Sequence, residues 1–405
     1  ATAVGGVTGI FQSNRGGRGF TDMSVINSGD ISASIKTSAG GVDGGAVGSA
    51  YAVSSGSAYG VFQSIAVFDA ATAAERIVNS ESGAIRGSAI ALANASGSAT
   101  STATGKGINQ LVISNGEAVA EVTNAGTITG YAEASAQALE ASSAVSIAGG
   151  LSQAVIGSVS SVARLANSGT ISAESKSKST GSAYAQSFGH TIVHSIPQPT
   201  ESDLVIDVEN EVGGMISAVA VASAASSAGA LAAGVWYGGG ALYNGRSVAL
   251  LGAIDNDGTI SGSAQIEAAS GSAQAFGIME VTSENNEVVL TNSGTVRAYV
   301  EASGGAAGRA TAIAIASYGV PEVTPAVEDA ASPAAELPSP TGVSAINNAG
   351  GVIWAGVGSE EGVTRGNAVD TRTVDPTGTL PPRSRINLLP FGAALNPVVM
   401  NFTGS

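Results

Sequence analysis

The chain has 405 residues with 56 Gly, 8 Phe, 8 Tyr and 2 Trp; only 12% of residues are charged, whereas 44% are hydrophobic. This apolar content excludes a disordered chain, and its small Ala, Val and Ile side chains predict a thin core. The net charge of −15 and the absence of cysteine exclude a nucleic-acid-binding surface, a disulfide framework and a thiolate metal site.

The first ten residues, ATAVGGVTGI, contain no initiator methionine, no basic segment and no apolar stretch of the kind found in leaders. They predict a mature chain whose leader has been removed. Residues 1–24 are predicted to form a terminal segment that serves as a cap or as an assembly strand. Arg15 and Arg18 make this segment locally basic.

Residues 25–362 contain eight copies of one phrase, in which an Asn precedes a small residue, a Gly and a β-branched residue. Successive copies lie 52, 45, 43, 43, 46, 36 and 55 residues apart. A long and irregular period of this kind indicates a solenoid whose insertions lie in turns. The repeated asparagines are Asn27, Asn79, Asn124, Asn167, Asn210, Asn256, Asn292 and Asn347.

Within one repeat the hydrophobic period is two. After Asn256, residues Ile260, Ala264 and Ile266 alternate with polar side chains, which is typical of a strand with one buried face. Three strands and three turns fit one repeat. The sequence therefore predicts an all-β fold, a parallel β-solenoid or β-helix of about eight large coils with a thin core of Ala, Val and Ile.

The repeated asparagines predict a ladder of hydrogen bonds. Equivalent residues of successive coils would stand about 4.8 Å apart, and an Asn amide is both a donor and an acceptor. Asn also tolerates the left-handed conformation of a sharp corner. The following glycine is predicted to supply a second permissive position, at Gly29, Gly126, Gly169, Gly258 and Gly294.

The units of the form N-[SA]-G-T-[IV]-[ST], each followed by alternating Ala, Ser and Gly, resemble the passenger regions of bacterial autotransporters and related β-helical surface adhesins. The resemblance covers most of the chain and implies secretion and display at the cell surface. The sequence departs from that family because no translocator barrel follows the repeats. We therefore expect either a translocator that has been removed or another route of export.

Several segments interrupt the pattern. Residues 212–245 carry no charge and exceed the length of a membrane span, but their small residues fall where strands are expected, so we predict no membrane span. Residues 190–203 and 319–342, both rich in proline, are predicted to be inserted loops. His190 and His194 have helical i, i+4 spacing, but the residues between them favour a strand, and no third ligand accompanies them.

Residues 363–405 form the last predicted segment, a C-terminal tail that caps the final coil or reaches a neighbouring molecule. Four arginines, Arg365, Arg372, Arg383 and Arg385, make this tail locally basic in an acidic chain. Both terminal segments are apolar, prone to form strands and nearly uncharged at their extremities. The sequence therefore predicts a homo-oligomer that assembles through its terminal segments.

No motif indicates catalysis, and we predict no catalytic or cofactor-binding residue. Asp255 and Asp257 are weak candidates for calcium ligands, because the remaining ligands of a calcium loop are missing. Calcium is thus the only cofactor that the sequence leaves open. Polysaccharide lyases and hydrolases also use β-helices, but here acidic residues are scattered and aromatic residues are few, so a non-enzymatic function is expected.

Taken with the resemblance, these features predict an extracellular or cell-surface structural or adhesive protein that assembles head to tail into a filament or a surface array. One alternative is a monomeric passenger that binds a host or glycan ligand through its loops. The other alternative is a polysaccharide lyase or hydrolase. The composition of the chain does not identify a particular ligand.

Overall fold

A computed structural model describes residues 1–15, 20–41, 50–67, 72–194, 204–239, 250–282, 287–303, 310–319, 344–348, 350–359, 362–365, 367–371 and 398–402. The described residues form three sheets, which we name A, B and C after their order along the chain. Each coil consists of three strands, one from each sheet, and the strands of the next coil pair with them in parallel. This arrangement confirms the predicted parallel β-solenoid.

Sheet A contains the longest strands. In axial order they are β1 (Thr2–Arg15), β4 (Tyr51–Val67), β7 (Ser98–Ser114), β10 (Ala141–Gly157), β13 (Ser182–His194), β16 (Ser227–Gly239), β19 (Ser270–Thr282), β22 (Ala310–Gly319) and β26 (Asn367–Thr371).

Sheet B contains short strands. They are β2 (Thr21–Asn27), β5 (Ala73–Asn79), β8 (Glu117–Asn124), β11 (Ser160–Asn167), β14 (Leu204–Asn210), β17 (Leu250–Asn256), β20 (Glu287–Asn292), β23 (Ser344–Asn348) and β27 (Val398–Phe402). Of these, β2, β5, β8, β11, β14, β17 and β20 end at repeated asparagines.

Sheet C begins immediately after each asparagine corner. Its strands are β3 (Asp30–Gly41), β6 (Ala84–Ala95), β9 (Thr127–Gln137), β12 (Thr170–Ser179), β15 (Met215–Ala224), β18 (Thr259–Glu267), β21 (Thr295–Ser303), β24 (Val352–Ser359) and β25 (Gly362–Arg365). The pairing of β25 with β24 is antiparallel, unlike the parallel pairing between successive coils.

The described strands therefore complete eight coils, from β1–β3 to β22–β24, and β26 and β27 begin a further coil. Two predicted boundaries are corrected by this count. Residues 1–24 do not form a separate segment, because β1 and β2 pair with β4 and β5 as part of the first coil. The tail at 363–405 likewise contains β26 and β27, which pair with β22 and β23.

The two predicted loops fall largely on residues that the structure does not describe. Residues 195–203 and 320–343 lie outside the described ranges. The loop expected to begin at residue 190 begins later, because β13 continues to His194. Val212–Gly239, the described part of the uncharged stretch, contributes β15 and β16 to the sheets. No helix among the described residues is long and apolar enough to cross a membrane.

The interior has two parts of different width. In the narrow part, the first half of each sheet A strand packs on sheet C, and the buried cluster of the first four coils consists entirely of alanine, including Ala58, Ala103 and Ala134. In the wide part, the second half of sheet A faces sheet B across larger side chains such as Ile65 and Ile108. Small residues bring the two layers of the narrow part close together.

A column of glycines separates the two parts. In β7 the buried positions are odd-numbered up to Gly107 and even-numbered from Ile108 onward, and in β4 the fully buried positions change from even to odd numbers between Gly60 and Val61. A Cβ atom on Gly107 would lie 2.7 Å from the Gly150 carbonyl oxygen and 2.7 Å from Ile128 Cγ2. Only glycine fits between the neighbouring backbone and sheet C, so each long strand kinks at this column.

Candidate functional site

The repeated asparagines form a continuous buried ladder at the corner between sheets B and C. The Asn27 Nδ2 group donates to Asn79 Oδ1 at 2.9 Å, and the same bond recurs in every later step at 2.7–2.8 Å. These steps join Asn27, Asn79, Asn124, Asn167, Asn210, Asn256 and Asn292.

Backbone groups orient each amide of this ladder. The Gly29 amide donates to Asn27 Oδ1 at 3.1 Å, and Asn27 Nδ2 also donates to the Gly29 carbonyl at 3.0 Å. Each inner asparagine therefore accepts from the coil before it and donates to the coil after it. The ladder has a direction, with its acceptor end at the first coil.

The eighth predicted member of the ladder is wrong by one residue. In the parallel register, Asn292 pairs with Asn348, whereas Asn347 pairs with Thr291. The sequence INNAG contains adjacent asparagines, and the repeated phrase predicts the first of them, Asn347, as the ladder residue. The column position therefore belongs to Asn348 because strand pairing, rather than the spacing to the next glycine, determines it.

The corner glycines are also required for a reason other than the predicted one. The described glycines with positive φ are Gly213, Gly252, Gly271 and Gly350. Gly213 and Gly350 lie at the corners after Asn210 and Asn348, but the five predicted glycines, Gly29, Gly126, Gly169, Gly258 and Gly294, are absent from this set. A Cβ atom on Gly169 would lie 2.2 Å from the Gly126 carbonyl oxygen, whereas one on Gly29, in the first coil, would meet nothing within 4 Å. Close stacking between successive corners therefore excludes a side chain.

A second amide ladder lies inside the wide part and was missed at the sequence level. Gln63, Gln110 and Gln153 each donate through Nε2 to the preceding glutamine, beginning with Gln12, at 2.8–3.1 Å. Its donors point toward the first coil, opposite to those of the asparagine ladder. The recurring strings GIFQ, GVFQ and GINQ were a signal from which this ladder could have been found.

His190 ends the glutamine ladder. Its Nε2 atom lies 2.9 Å from Gln153 Oε1, and its side chain is fully buried. Because Gln153 already donates to Gln110, the Nε2–H group of a neutral imidazole donates to Gln153. Burial lowers the pKa of His190 to about 3, which keeps the ring neutral. The histidine pair thus forms part of a strand that contains a structural hydrogen bond.

Glu75 is a buried carboxyl group in the same wide part. It lies inward on β5, between Met23 and Ala120 in the register, and it is 0% exposed. The amides of Ile65 and Leu111 favour the charged form, but no described group meets hydrogen-bond geometry with either carboxyl oxygen. Desolvation is the larger effect and raises the pKa of Glu75 to about 8.

The calcium candidates Asp255 and Asp257 flank Asn256 at the corner and are both exposed. Asp257 Oδ1 accepts a hydrogen bond from the Ser293 hydroxyl. The structure brings no group of three or more His, Cys, Asp or Glu residues into a possible metal site within its described ranges. Asp255 and Asp257 are thus not joined there by a third acidic or histidine side chain.

The outer surfaces of the three sheets differ in charge. The outward side chains of β1, β4, β7, β10 and β13, which we call face A, include Arg15 and Lys106 but no carboxylate. The outer surfaces of sheets B and C carry the exposed ion pairs Arg76–Glu121, Arg164–Asp207, Arg86–Asp30 and Lys176–Glu174. In these coils, the described acidic side chains therefore lie on sheets B and C and not on face A.

Face A also carries aromatic side chains beside the glycine kink. The rings of Phe11 and Phe62 stack with centroids 5.4 Å apart, and Tyr59 meets Phe62 edge-on at 5.6 Å. In the next coil, Lys106 Nζ donates to Asn109 Oδ1 at 2.9 Å. Burial lowers the pKa of Lys106. Phe188 belongs to the same outward column as Tyr59, through Lys106 and Gly149 in the register.

The first described coil lies at one end of the three sheets. β1, β2 and β3 are terminal strands of their sheets, so each pairs on one side only within the described chain. Val4, Phe11 and Ile26 are 75%, 65% and 80% exposed on these strands.

No family model, curated protein or solved structure matches the chain.

Proposed function

We propose that this protein is an extracellular structural or adhesive element of a cell surface that extends by pairing the first coil of one molecule with the last coil of another. The observation that carries the proposal is that β1, β2 and β3 pair on one side only among the described residues. Unpaired strand edges accept further strands, and a contact between two unlike ends propagates into a fibre when its rotation does not close a ring.

The asparagine ladder also supports growth at the first coil. Asn27 Oδ1 stands at the acceptor end, and among the described residues the Gly29 amide is its donor. An incoming coil that places an asparagine amide beneath Asn27 would continue the ladder by one step. The corner beneath Gly29 is equally open, so a corner from another molecule can stack there as the inner corners stack on each other.

The composition supports an extracellular role through the resemblance to β-helical surface adhesins described above. A monomeric passenger that binds a ligand through its inserted loops remains the second candidate, but residues 195–203 and 320–343 lie outside the described ranges. The specific structural observation, one-sided pairing of β1–β3 within the part of the chain that the structure describes, favours assembly.

Proline substitution at the edge tests the proposal without disturbing internal pairing. The Ala84 amide donates to the Gly29 carbonyl at 2.7 Å, and backbone groups alternate sides along a strand, so the N–H groups of Ser32 and Ser34 point toward the open edge. Proline removes these donors and is tolerated on edge strands.

We expect the double variant Ser32→Pro, Ser34→Pro to remain folded and to require at least tenfold more protein than wild type before filaments appear in electron micrographs. The variant Ser32→Ala, Ser34→Ala keeps both N–H groups and should assemble like wild type. Circular dichroism checks that all three proteins are folded. Equal assembly by the proline and alanine variants would contradict pairing through this edge.

A further inference from the structure

Face A is a described surface that two acidic molecules can bring together without opposing carboxylates. The whole chain has a net charge of −15, yet face A has no carboxylate in β1, β4, β7, β10 or β13. Like charges repel and resist desolvation at an interface. Sheets B and C present acidic residues outward, among them Asp207, Glu121 and Glu133.

The composition of face A matches that of an interface core. Cores of protein interfaces are depleted in charge and enriched in aromatic residues, and face A carries Phe11, Tyr51, Tyr59, Phe62, Tyr184 and Phe188. Tyr51 is 55% exposed and Phe11 is 65% exposed. Between these rings lie hydroxyl groups, including a register column that joins Thr100, Ser143 and Ser182.

The size of face A is sufficient for stable pairing. Five strands spaced about 4.8 Å apart span about 24 Å, and a strand of 14 residues spans about 45 Å at roughly 3.3 Å per residue. The product is about 1,000 Å², compared with roughly 800 Å² per partner in interfaces of standard size. Lys106 is the one cation near its middle, and its described partners, Asn109 and Ser152, are neutral.

We propose that face A is a lateral interface at which a second copy of this chain docks, face A against face A, around a twofold axis. Such an isologous contact places the same patch on both partners. It buries the uncharged, aromatic surface and leaves the acidic surfaces of sheets B and C in solvent on the outside of the pair. Lateral pairing does not depend on end-to-end growth, and combining the two would produce double-width filaments or a layer.

A matched pair of charge insertions within the third coil tests this interface. Thr102 lies outward on β7 near the middle of face A, between Ser55 and Val145 in the register. Thr129 lies outward on sheet C in β9 of the same coil. Both Thr102→Glu and Thr129→Glu add one negative charge at a partly exposed strand position, and circular dichroism checks that both variants are folded.

The measurement is molar mass by light scattering during size exclusion, made on the full chain carrying Ser32→Pro and Ser34→Pro to suppress end-to-end growth. These prolines lie in β3 of sheet C and leave face A unchanged. We expect twice the chain mass of 39.2 kDa for this protein and for its Thr129→Glu derivative. The Thr102→Glu derivative should have the mass of one chain at the same concentration.

Other outcomes separate the two proposals. If wild-type protein forms no filaments but the variants show this pairing pattern, the proposal of end-to-end growth is contradicted and the proposal of a lateral interface stands. A single-chain mass for the proline variant at every concentration, or equal loss of pairing in both glutamate variants, would overturn the lateral interface. A third outcome would also overturn the lateral interface: single chains sediment with insoluble neutral β-glucan particles, and Thr102→Glu abolishes this binding. Face A would then be a glycan-binding surface.

Discussion

The narrow and wide parts of the same coil solve the problem of filling an interior in different ways. The narrow part uses alanine, together with hydroxyl groups that bond across the layers, such as Ser146 to Ser177 at 2.8 Å. The wide part uses Ile, Val and Leu and encloses glutamine, histidine and a carboxyl group. The distance between the packed sheets, rather than the solvent exposure of the side chains, therefore determines which polar groups the interior holds.

This difference explains how one repeat supports both a thin rod and two buried ladders. In the narrow part, close approach of the layers leaves space for hydroxyl groups that bond directly across the gap. In the wide part, long amides bond along the axis, from coil to coil, and Gln153 Nε2 also donates to the Arg164 carbonyl of sheet B at 3.2 Å. Axial ladders depend on register, so they link the stability of each coil to that of its neighbours.

The largest predicted effect concerns the buried carboxyl group of the wide part. The pKa of Glu75 is about 8 in the folded chain, compared with an ordinary value of 4.5. The folded state therefore binds the proton more tightly, and this contribution to stability is complete below pH 4.5 and decreases as pH rises toward 8. We expect the loss to be roughly 4 kcal/mol, at about 1.4 kcal/mol for each pKa unit.

The variant Glu75→Gln keeps the shape of the side chain and cannot ionise. Denaturant unfolding between pH 5 and pH 8 should show a steep fall in the free energy of unfolding for wild type and a much smaller fall for the variant. Parallel pH profiles for the two proteins would show that Glu75 is charged in the folded interior.

The next largest effect concerns the width of the narrow part. Ala134 on β9 is 0% exposed, belongs to the buried alanine cluster and lies between Ala91 and Ser177 in the register, so Ala134→Leu should cost about 3 kcal/mol by forcing the layers apart. Ile128 lies on the same strand in the wide part. Ile128→Leu conserves volume there and should cost about 1 kcal/mol. Thermal or urea unfolding that finds Ala134→Leu no worse than Ile128→Leu would break the distinction between the two parts.

The smallest effect concerns a single step of the asparagine ladder. Asn167→Ala leaves the Asn124 amide and Asn210 Oδ1 without their partner, which should cost about 2 kcal/mol. Ser263 lies outward on β18 and is partly exposed, so Ser263→Ala should change the free energy of unfolding by less than about 0.5 kcal/mol. Equal costs at these two sites in urea unfolding would argue against an energetic role for the ladder.

Much of the fold was predictable because the asparagine phrase and the period of two report directly on corners and strands. The boundary at residue 25 was not, because β1 lacks the phrase and joins the first coil only through its pairing with β4. The function of the corner glycines was misjudged because local sequence indicates which residue tolerates a positive φ. It does not indicate where a side chain would collide with an adjacent coil, as a Cβ atom on Gly169 would, 2.2 Å from the carbonyl oxygen of Gly126 in the preceding coil.

The candidate site was less predictable than the fold. The glutamine ladder lies on the other side of the coil from the phrase used for alignment, and its period becomes visible only when the strings around Gln63 and Gln110 are compared. The uncharged face A depends on which side of each strand points outward after the glycine kink. A shift in phase within a single strand cannot be read from composition, and so the surface had no clear sequence signature.

The central claim, that solenoids join end to end through the edge of the first coil, is tested most directly by the axial repeat of the assembled wild-type protein in electron micrographs. Eight coils and a partial further coil, at about 4.8 Å each, predict a repeat of about 40 Å along a continuous β-solenoid. Filaments with that repeat and with no gap between subunits are the expected result. Separate rods about 40 Å long at every concentration would contradict the claim.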